Sequence, residues 1–335
     1  MAVAGRLAKP FAFLLLAAIA CGESSTKSAK KRSVEEIEVL KDIKRPDFNS
    51  DSAYAYIEKQ VSFGPRVPNT QAHKETAEYL AGKLESFGFN VINQRTKVTA
   101  FDGTQLDMVN IIGEYLPGTN NRILLFAHWD TRPFADQSKK NKSMPIDGAN
   151  DGASGVGILL EVARQIQLEQ PKTGIDIIFF DAEDYGEPSG SMHRRKSTSS
   201  WCLGSQYWAK NPHRPYYMAN FGILLDMVGG KNATFAKESI SMHFAPYVMN
   251  KVWKIAHALG HNEFFIDKQV QFVGEDDHLY VNKVANIPSI DIIHYDQQTG
   301  SFNKTWHTHE DNMDFIDRKT LQAVGETVLA TVLSE

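Results

Sequence analysis

The sequence contains little cysteine, no marked excess of either charge and few long apolar runs. Only Cys21 and Cys202 occur in 335 residues, so a scaffold built on several disulfides is excluded. With 36 basic and 40 acidic residues the formal net charge is −4, and we expect no nucleic-acid partner because such proteins usually carry a basic excess. A hydrophobic fraction of 42% and a charged fraction of 23% are ordinary for globular proteins, which excludes collagen-like, coiled-coil and disordered chains.

One long apolar run stands near the N-terminus and predicts a signal peptide. Arg6 and Lys9 precede the run, which covers residues 11–20 and is too short to span a bilayer as a helix. A basic start, an apolar stretch and small residues at its end are the layout of a secretory signal peptide. We therefore assign residues 1–20 to a signal peptide and expect the mature protein to be exported.

The residues after this run indicate how the exported protein is held. Residues 18–21, Ala-Ile-Ala-Cys, resemble a bacterial lipoprotein cleavage site, which implies a lipid on Cys21 and a periplasmic, membrane-anchored protein. Residues 21–45 are mostly polar, so we predict a tether there. Residues 46–335 show globular patterning with no repeat and no second linker. We expect them to form one catalytic domain and the protein to be a monomer.

Short apolar runs alternate with helical patterns along this predicted domain. Continuous apolar runs predict buried strands at residues 123–127, 175–180, 221–225 and 289–293. Alternating patterns predict a strand pair at residues 89–98 and 105–115, and helical spacing predicts helices around residues 77–84, 156–163 and 321–332. Strands that alternate with helices favour an α/β fold, a mixed central β-sheet flanked by helices on both faces.

Histidines and carboxylates stand at the ends of three of these predicted strands. They are His128 and Asp130 after the first strand, Asp181, Glu183 and Asp184 after the second, and Asp226 after the third. In open α/β sheets the ligand site lies at the carboxyl ends of the strands, so these groups are expected to face one crevice. Asp151, in the glycine-rich segment 148–152, and His307 are two further candidates.

The combination of imidazoles and carboxylates favours a zinc-type metal site. Taken alone, a strand-end Asp is more often a helix cap, and a single His is more often structural. The metal interpretation rests on several such groups coming directly after buried strands. Glu183 stands beside Asp184, so one carboxylate can bind a metal while the other moves protons.

The order of these residues resembles that of the co-catalytic zinc aminopeptidases. Within that clan the sequence is most similar to the glutaminyl cyclases, particularly their bacterial, lipoprotein-exported branch. The most specific pieces of the resemblance are Asp276-Asp277-His278 and Trp306-His307-Thr308. The resemblance covers nearly the whole mature chain and implies a zinc-aminopeptidase-like fold. It also implies that the substrates are peptides or proteins with an N-terminal glutamine, which is converted to pyroglutamate with release of ammonia.

The resemblance implies one zinc ion held by Asp151, Asp184 and His307. Animal cyclases carry Glu where Asp184 stands, which makes this ligand one methylene shorter, and they carry His where Asp291 stands. Zinc accepts either carboxylate.

The resemblance also assigns the acids and aromatic residues of the site. Glu183 matches the carboxylate that shuttles the proton, and Asp226 and Asp276 match two acids that hydrogen-bond with it and hold the substrate amine. Trp201 and Trp306 match aromatic walls of the pocket, although either Trp could instead belong to the core. No serine or cysteine nucleophile is needed, and we expect Cys202 to have a packing role.

Two other functions remain open at this point. In a two-zinc aminopeptidase, His128 and Asp226 would bind a second metal, Asp151 would bridge the two ions and Glu183 would activate water. A non-enzymatic, peptide-binding lipoprotein is the second alternative. The segment at residues 185–200 is longer than its animal counterpart, and it is either a mobile loop at the pocket mouth or a tolerated surface insertion.

Overall fold

Eight β-strands and eight α-helices make up the described part of the chain. A computed structural model describes residues 1–2, 43–188, 199–271 and 273–335. The strands are β1 (Asn90–Thr99), β2 (Gln105–Tyr115), β3 (Arg122–His128), β4 (Gly174–Phe180), β5 (Gly222–Asp226), β6 (Phe235–Glu238), β7 (Phe265–Val270) and β8 (Ser289–Ile293). The helices are α1 (Ser50–Ser62), α2 (Gln71–Ser86), α3 (Ala153–Glu169), α4 (Leu203–Lys210), α5 (Ser239–Phe244), α6 (Pro246–Ala258), α7 (Asp277–Lys283) and α8 (Arg318–Leu333).

Three predicted segments fall wholly or partly outside the described residues. They are the signal peptide beyond residue 2, the tether up to residue 42, and residues 189–198 of the predicted loop. From Ile43 onward the chain forms one compact unit. Among the described residues, none of the helices combines the length and the apolar composition that a membrane span requires.

Six strands form the central sheet in the order β1-β2-β4-β3-β5-β8. The neighbours β4, β3, β5 and β8 run parallel, whereas β2 is antiparallel to both β1 and β4. The register places His128 of β3 opposite Phe180 of β4, and Asp226 of β5 opposite Ile293 of β8. The carboxyl ends of the four parallel strands therefore lie at one edge of the sheet.

Both faces of the sheet are covered, as the continuous apolar runs predict. In β3, Ile123 and Leu125 belong to a core cluster with residues of α1, α2, α3, α6 and α8. The alternate residues Leu124 and Phe126 pack instead with Trp208 of α4 and with α7. This confirms the predicted α/β architecture with a mixed sheet and helices on both faces.

Helix α3 approaches the sheet and α1 unusually closely, and glycine permits the approach. A side-chain carbon at Gly155 would lie 2.2 Å from the carbonyl oxygen of Leu225 in β5. One at Gly157 would lie 2.5 Å from Cγ1 of Ile57 in α1. Because glycine has no Cβ, the start of α3 can lie directly against the end of β5. This approach places Asp151 beside Asp226.

Candidate active site

All eight predicted site residues line one pocket of about 390 Å³ at the carboxyl edge of the parallel strands. They are Asp151, Glu183, Asp184, Trp201, Asp226, Asp276, Trp306 and His307. Met227, Gly274, Glu275, Ile293 and Phe302 complete the lining. The fold thus brings together residues that lie up to 156 positions apart, from Asp151 to His307.

Asp151, Asp184 and His307, the three predicted zinc ligands, form one cluster in this pocket. Nε2 of His307 lies 3.1 Å from Oδ1 of Asp184 and 3.7 Å from Oδ2 of Asp151. Ligands bonded to one tetrahedral zinc ion lie roughly 3.4 Å apart, since each bond is about 2.0–2.1 Å long. The three side chains therefore have the spacing of a zinc site.

Several oxygens of this cluster accept no hydrogen bond within the described part of the chain, and they provide a second test of the metal assignment. Oδ2 of Asp151 and both side-chain oxygens of Asp184 are buried and accept no hydrogen bond from the described residues. Buried carboxylate oxygens that accept no hydrogen bond are costly, and a bound cation removes that cost. Together with the imidazole of His307, this donor set fits Zn²⁺.

A second cluster shares Asp151 with the first. Nε2 of His128 lies 3.0 Å from Oδ1 of Asp151 and 3.3 Å from Oδ1 of Asp226. Burial alone would lower the pKa of His128, but Asp130, Asp151 and Asp226 raise it well above its usual range. His128 can therefore pair with these carboxylates as an imidazolium, or offer a nitrogen to a second metal. Asp151 faces each cluster with a different oxygen, which is the arrangement of a bridging ligand.

Asp130 fixes the turn that carries Glu183 and Asp184. The backbone N–H groups of Glu183 and Asp184 donate to the two carboxylate oxygens of Asp130 at 3.0 and 3.2 Å. The same carboxylate lies 3.5 Å from Nδ1 of His128. One buried carboxylate therefore orients a predicted metal ligand, the predicted proton shuttle and the neighbouring histidine.

The acids of the pocket raise one another's affinity for protons. Burial raises the pKa of Glu183 well above its usual range; His128 opposes the shift, and Asp184 and Asp276 add to it. Burial also raises the pKa of Asp226 to about 7, against the hydrogen bond with His128. Closely spaced carboxylates cannot all ionise, so they share protons. A group that accepts and then returns a proton needs such an environment.

Asp276 lines the pocket and forms an acidic pair with a second buried residue, Asp291. It precedes α7, and its carboxylate accepts the N–H of Asp277 at 2.6 Å. Behind it lies Asp291 of β8, which is fully buried. Burial raises the pKa of Asp291 well above its usual range, and Asp276 and Asp226 raise it further. Burial raises the pKa of Asp276 as well, but the hydrogen bond with Asp291 opposes that shift, so the contact favours the proton on Asp291.

The two predicted tryptophans stack on the ring of His307, and Trp306 also packs against the small buried cluster of Met227, Val273 and Ile293. Trp306 lies 3.8 Å from that ring, centroid to centroid, with 27° between the planes. The ring of Trp201 lies 5.9 Å from His307 and is almost parallel to it, at 7°. Phe302 packs on Trp306 at 4.7 Å. These aromatic rings give the pocket a flat apolar wall next to its acids.

Several supporting residues of the site were not predicted from the sequence. Oδ1 of Asp136 lies 3.5 Å from Nδ1 of His307, and Asp311 accepts the N–H groups of Asn150 and Asp151 at 2.7 and 3.1 Å. The thiol of Cys202 is buried, as a packing role requires, but it also donates to Oε1 of Glu183 at 3.2 Å. Spacing gives no signal for these contacts, since Asp311 is 160 residues from Asp151.

Titration of His307 and Asp136 reflects their contact. Burial alone would lower the pKa of His307, but Asp184 and Asp136 raise it to about 9. Burial alone would raise the pKa of Asp136, but the nearby His307 ring and the hydrogen bonds from Arg132 hold it well below its usual range. A metal at this site has to displace the proton of His307, so we expect its affinity to rise with pH.

The comparison with known families decides where the chain belongs. Residues 110–332 match peptidase family M28. The chain belongs to this family. The matched region begins in β2 and ends in α8, so it contains every predicted ligand and catalytic residue.

Three relatives show the range of proteins that this M28 chain is similar to. A glutaminyl cyclase of Bacteroides thetaiotaomicron, solved with N-acetylhistamine, is 55% identical over 87% of this chain and 100% of its own, with a TM-score of 0.84. A Zn-dependent exopeptidase of Parabacteroides distasonis is 54% identical over 87% of this chain and 100% of its own, also with a TM-score of 0.84. The curated aminopeptidase YwaD of Bacillus subtilis is 26% identical over 81% of this chain, which spans only 54% of that relative's length.

Proposed function

We propose that the protein is a zinc-dependent glutaminyl-peptide cyclotransferase. Its substrates are peptides or proteins that begin with glutamine, and its products are the pyroglutamyl peptide and ammonia. The observation that carries the proposal is the likeness to the Bacteroides glutaminyl cyclase over that enzyme's whole length. The pocket supports it, because a protonatable Glu183 and an aromatic wall flank the cluster of Asp151, Asp184 and His307.

The reaction forms a bond within the substrate, so the protein need not supply a nucleophile. The α-amine nitrogen bonds to the side-chain carbonyl carbon, and the bond from that carbon to the amide nitrogen breaks. Glu183 takes the proton from the amine and delivers it to the departing nitrogen, which leaves as ammonia. A zinc ion held by Asp151, Asp184 and His307 would polarise the carboxamide oxygen as a Lewis acid.

The remaining pocket residues hold the substrate in the geometry that closes the ring. Asp226 and Asp276 line the pocket near Glu183 and accept hydrogen bonds from the α-amine. Trp201 and Trp306 confine the methylene groups of the glutamine side chain, so that the amine and the carboxamide meet. Holding two reacting groups in contact removes much of the entropic barrier of such a reaction.

A two-zinc aminopeptidase is the second candidate, and one specific observation favours it. His128, Asp151 and Asp226 form a second buried cluster with the spacing of metal ligands, and Asp151 is common to both clusters. In that case Glu183 would activate a water molecule, and the products would be a free amino acid and a shortened peptide.

The two functions are separated by their products and by their metal content. We expect the purified protein to convert a glutamine-initiated peptide into a peptide of unchanged sequence that is lighter by one ammonia, read by mass spectrometry and an ammonia assay. One zinc per chain should be found by elemental analysis. Free glutamine, a shortened peptide and two zinc ions per chain would establish the aminopeptidase instead.

We also propose that the protein works as a monomer outside the cytoplasm, anchored to a bacterial membrane by a lipid on Cys21. Cys21→Ser should move it from the membrane fraction to the soluble periplasmic fraction. An unchanged distribution of the variant would contradict the lipid anchor.

A further inference from the structure

Arg132 is a buried arginine close to the pocket, although it does not line it. It stands four residues after the end of β3, and its side chain is fully buried. A buried guanidinium needs several partners to offset its loss of water. Its Nε and one terminal nitrogen donate to the two carboxylate oxygens of Asp136 at 2.7 and 3.0 Å. The other terminal nitrogen donates to the carbonyl oxygens of Asp184 and Gly186 at 2.9 and 3.3 Å.

Asp136 and Asp184 connect Arg132 to the predicted metal ligands. Asp136, held by both arms of the guanidinium, faces Nδ1 of His307, while Nε2 of the same ring faces Asp184 and Asp151. A carboxylate on the far nitrogen of a metal-binding histidine fixes the orientation of that ring. The bidentate pair with arginine fixes the carboxylate in turn. The hydrogen bond to the carbonyl of Asp184 holds a second predicted ligand from behind.

The flat face of Arg132 leads to the pocket wall. Its guanidinium carbon lies 4.6 Å from the ring centroid of Trp201, the distance of a cation–π contact. Trp201 is in turn parallel to the ring of His307, so this tryptophan faces both the guanidinium and the predicted ligand. Lysine could keep the charge at this position, but it could not hold a carboxylate with two arms or stack as a plane.

We propose that Arg132 is a positioning residue that aligns the metal ligands His307 and Asp184 with the pocket wall at Trp201. Its effect on turnover rests on the proposed function, whereas its effect on zinc affinity does not.

The test measures the zinc dissociation constant of Arg132→Lys by competition with a chromophoric chelator. Arg122→Lys is a matched control, since Arg122 also holds a carboxylate, that of Asp176, with both arms, and is buried at the opposite end of β3. We expect Arg132→Lys to weaken zinc binding about 10- to 100-fold, the usual effect of losing support for a ligand. Arg122→Lys should lower the melting temperature and change zinc affinity less than twofold.

Asp136→Asn is a second variant that separates the effect on the metal ligands from the effect on Trp201. It also tests the proposal if Arg132→Lys does not fold. It should weaken zinc binding and lower kcat without changing KM for a glutamine peptide, because Asp136 faces His307 whereas Arg132 also packs on Trp201. Arg132→Lys should also raise KM.

The inference would be overturned if Arg132→Lys and Asp136→Asn both kept a zinc affinity within twofold of wild type. Equal losses of zinc affinity in Arg132→Lys and Arg122→Lys would also overturn it. If the wild type binds zinc and the variants lose it as expected, but no variant or wild type releases ammonia, the proposed function fails while the positioning role stands.

Discussion

Glu183 combines a fixed main chain with a buried, protonatable carboxyl group. Asp130 holds its N–H, and the thiol of Cys202 contacts its side chain. We predict that Glu183→Gln reduces turnover by about 10²–10⁴-fold, because the amide keeps the shape but cannot accept and return a proton. Zinc content should remain that of the wild type, as measured by elemental analysis.

Glu263→Gln, on the exposed surface, is the control for this substitution, and it should leave turnover unchanged. Turnover by Glu183→Gln at the wild-type rate would refute the proton-shuttle role.

His294, which directly follows β8, predicts a pH effect on stability that is separate from catalysis. Burial lowers its pKa to about 4, although Asp296 opposes the shift, and its Nδ1 has no hydrogen-bond partner in the part of the chain that the structure describes. The folded state therefore keeps this ring neutral, whereas the unfolded chain binds a proton below about pH 6.5. Because the unfolded state binds more protons, this histidine makes the free energy of unfolding fall as the pH drops from about 6.5 toward 4.

We expect the wild type to lose about 2 kcal/mol more unfolding free energy than His294→Gln between pH 7 and pH 5. Urea unfolding at the two pH values measures the difference, and the exposed His243→Gln is the control. Equal losses in wild type and His294→Gln would contradict a neutral buried ring.

At the scale of elements, helix α7 has its cap in the pocket. Asp276 accepts the N–H of Asp277 and also faces the pocket, so stability and activity can be separated at one position. Asn caps a helix as well as Asp does but carries no charge. We predict that Asp276→Asn keeps the melting temperature while kcat falls, and that Asp276→Ala in addition loses about 0.5–2 kcal/mol of stability.

Calorimetry and steady-state kinetics on the two variants check this expectation. Full turnover by Asp276→Asn would mean that Asp276 serves only as the cap of α7.

The elements that could be predicted are those with a continuous or periodic apolar pattern. The strand expected at residues 289–293 has those bounds in the structure, and the expected strand pair agrees to within a residue at each end. Helix α1 was missed because only Ala53, Ile57 and Gln60 are buried, too sparse a stripe to stand out. Helices α4 and α7 are only two turns long, and β7 has a single buried residue, so none of them has a recognisable period.

The site residues also divide into those that the sequence pattern predicts and those that it does not. Asp184 and Asp226 could be found because each follows a buried strand, and strand ends in a parallel sheet converge. Asp136, Asp311 and Arg132 act through partners that only the tertiary fold brings near. Their positions in the sequence carry no pattern that distinguishes them from surface residues.

At the scale of the whole molecule, we expect activity to depend on the protonation state of the α-amine of the substrate. The attacking amine has to be neutral, and the pKa of an α-amino group is roughly 7.7–8.0. We therefore predict that kcat/KM for a glutamine peptide rises through this range and then levels off. Initial rates between pH 6 and 9 measure it, and a rate independent of pH would show that amine deprotonation is not required.

The central strands carry two charge networks, one at each end. At the carboxyl end lie the acids and histidines of the pocket. At the amino end, Arg122 pairs with Asp176, and Tyr217 donates to the same carboxylate at 2.6 Å. The length of β3 separates the two networks. One end of the strands therefore contributes to stability, and the other end carries the residues of the pocket. Substitutions at the amino end are therefore expected to change mainly stability, and substitutions at the carboxyl end mainly turnover.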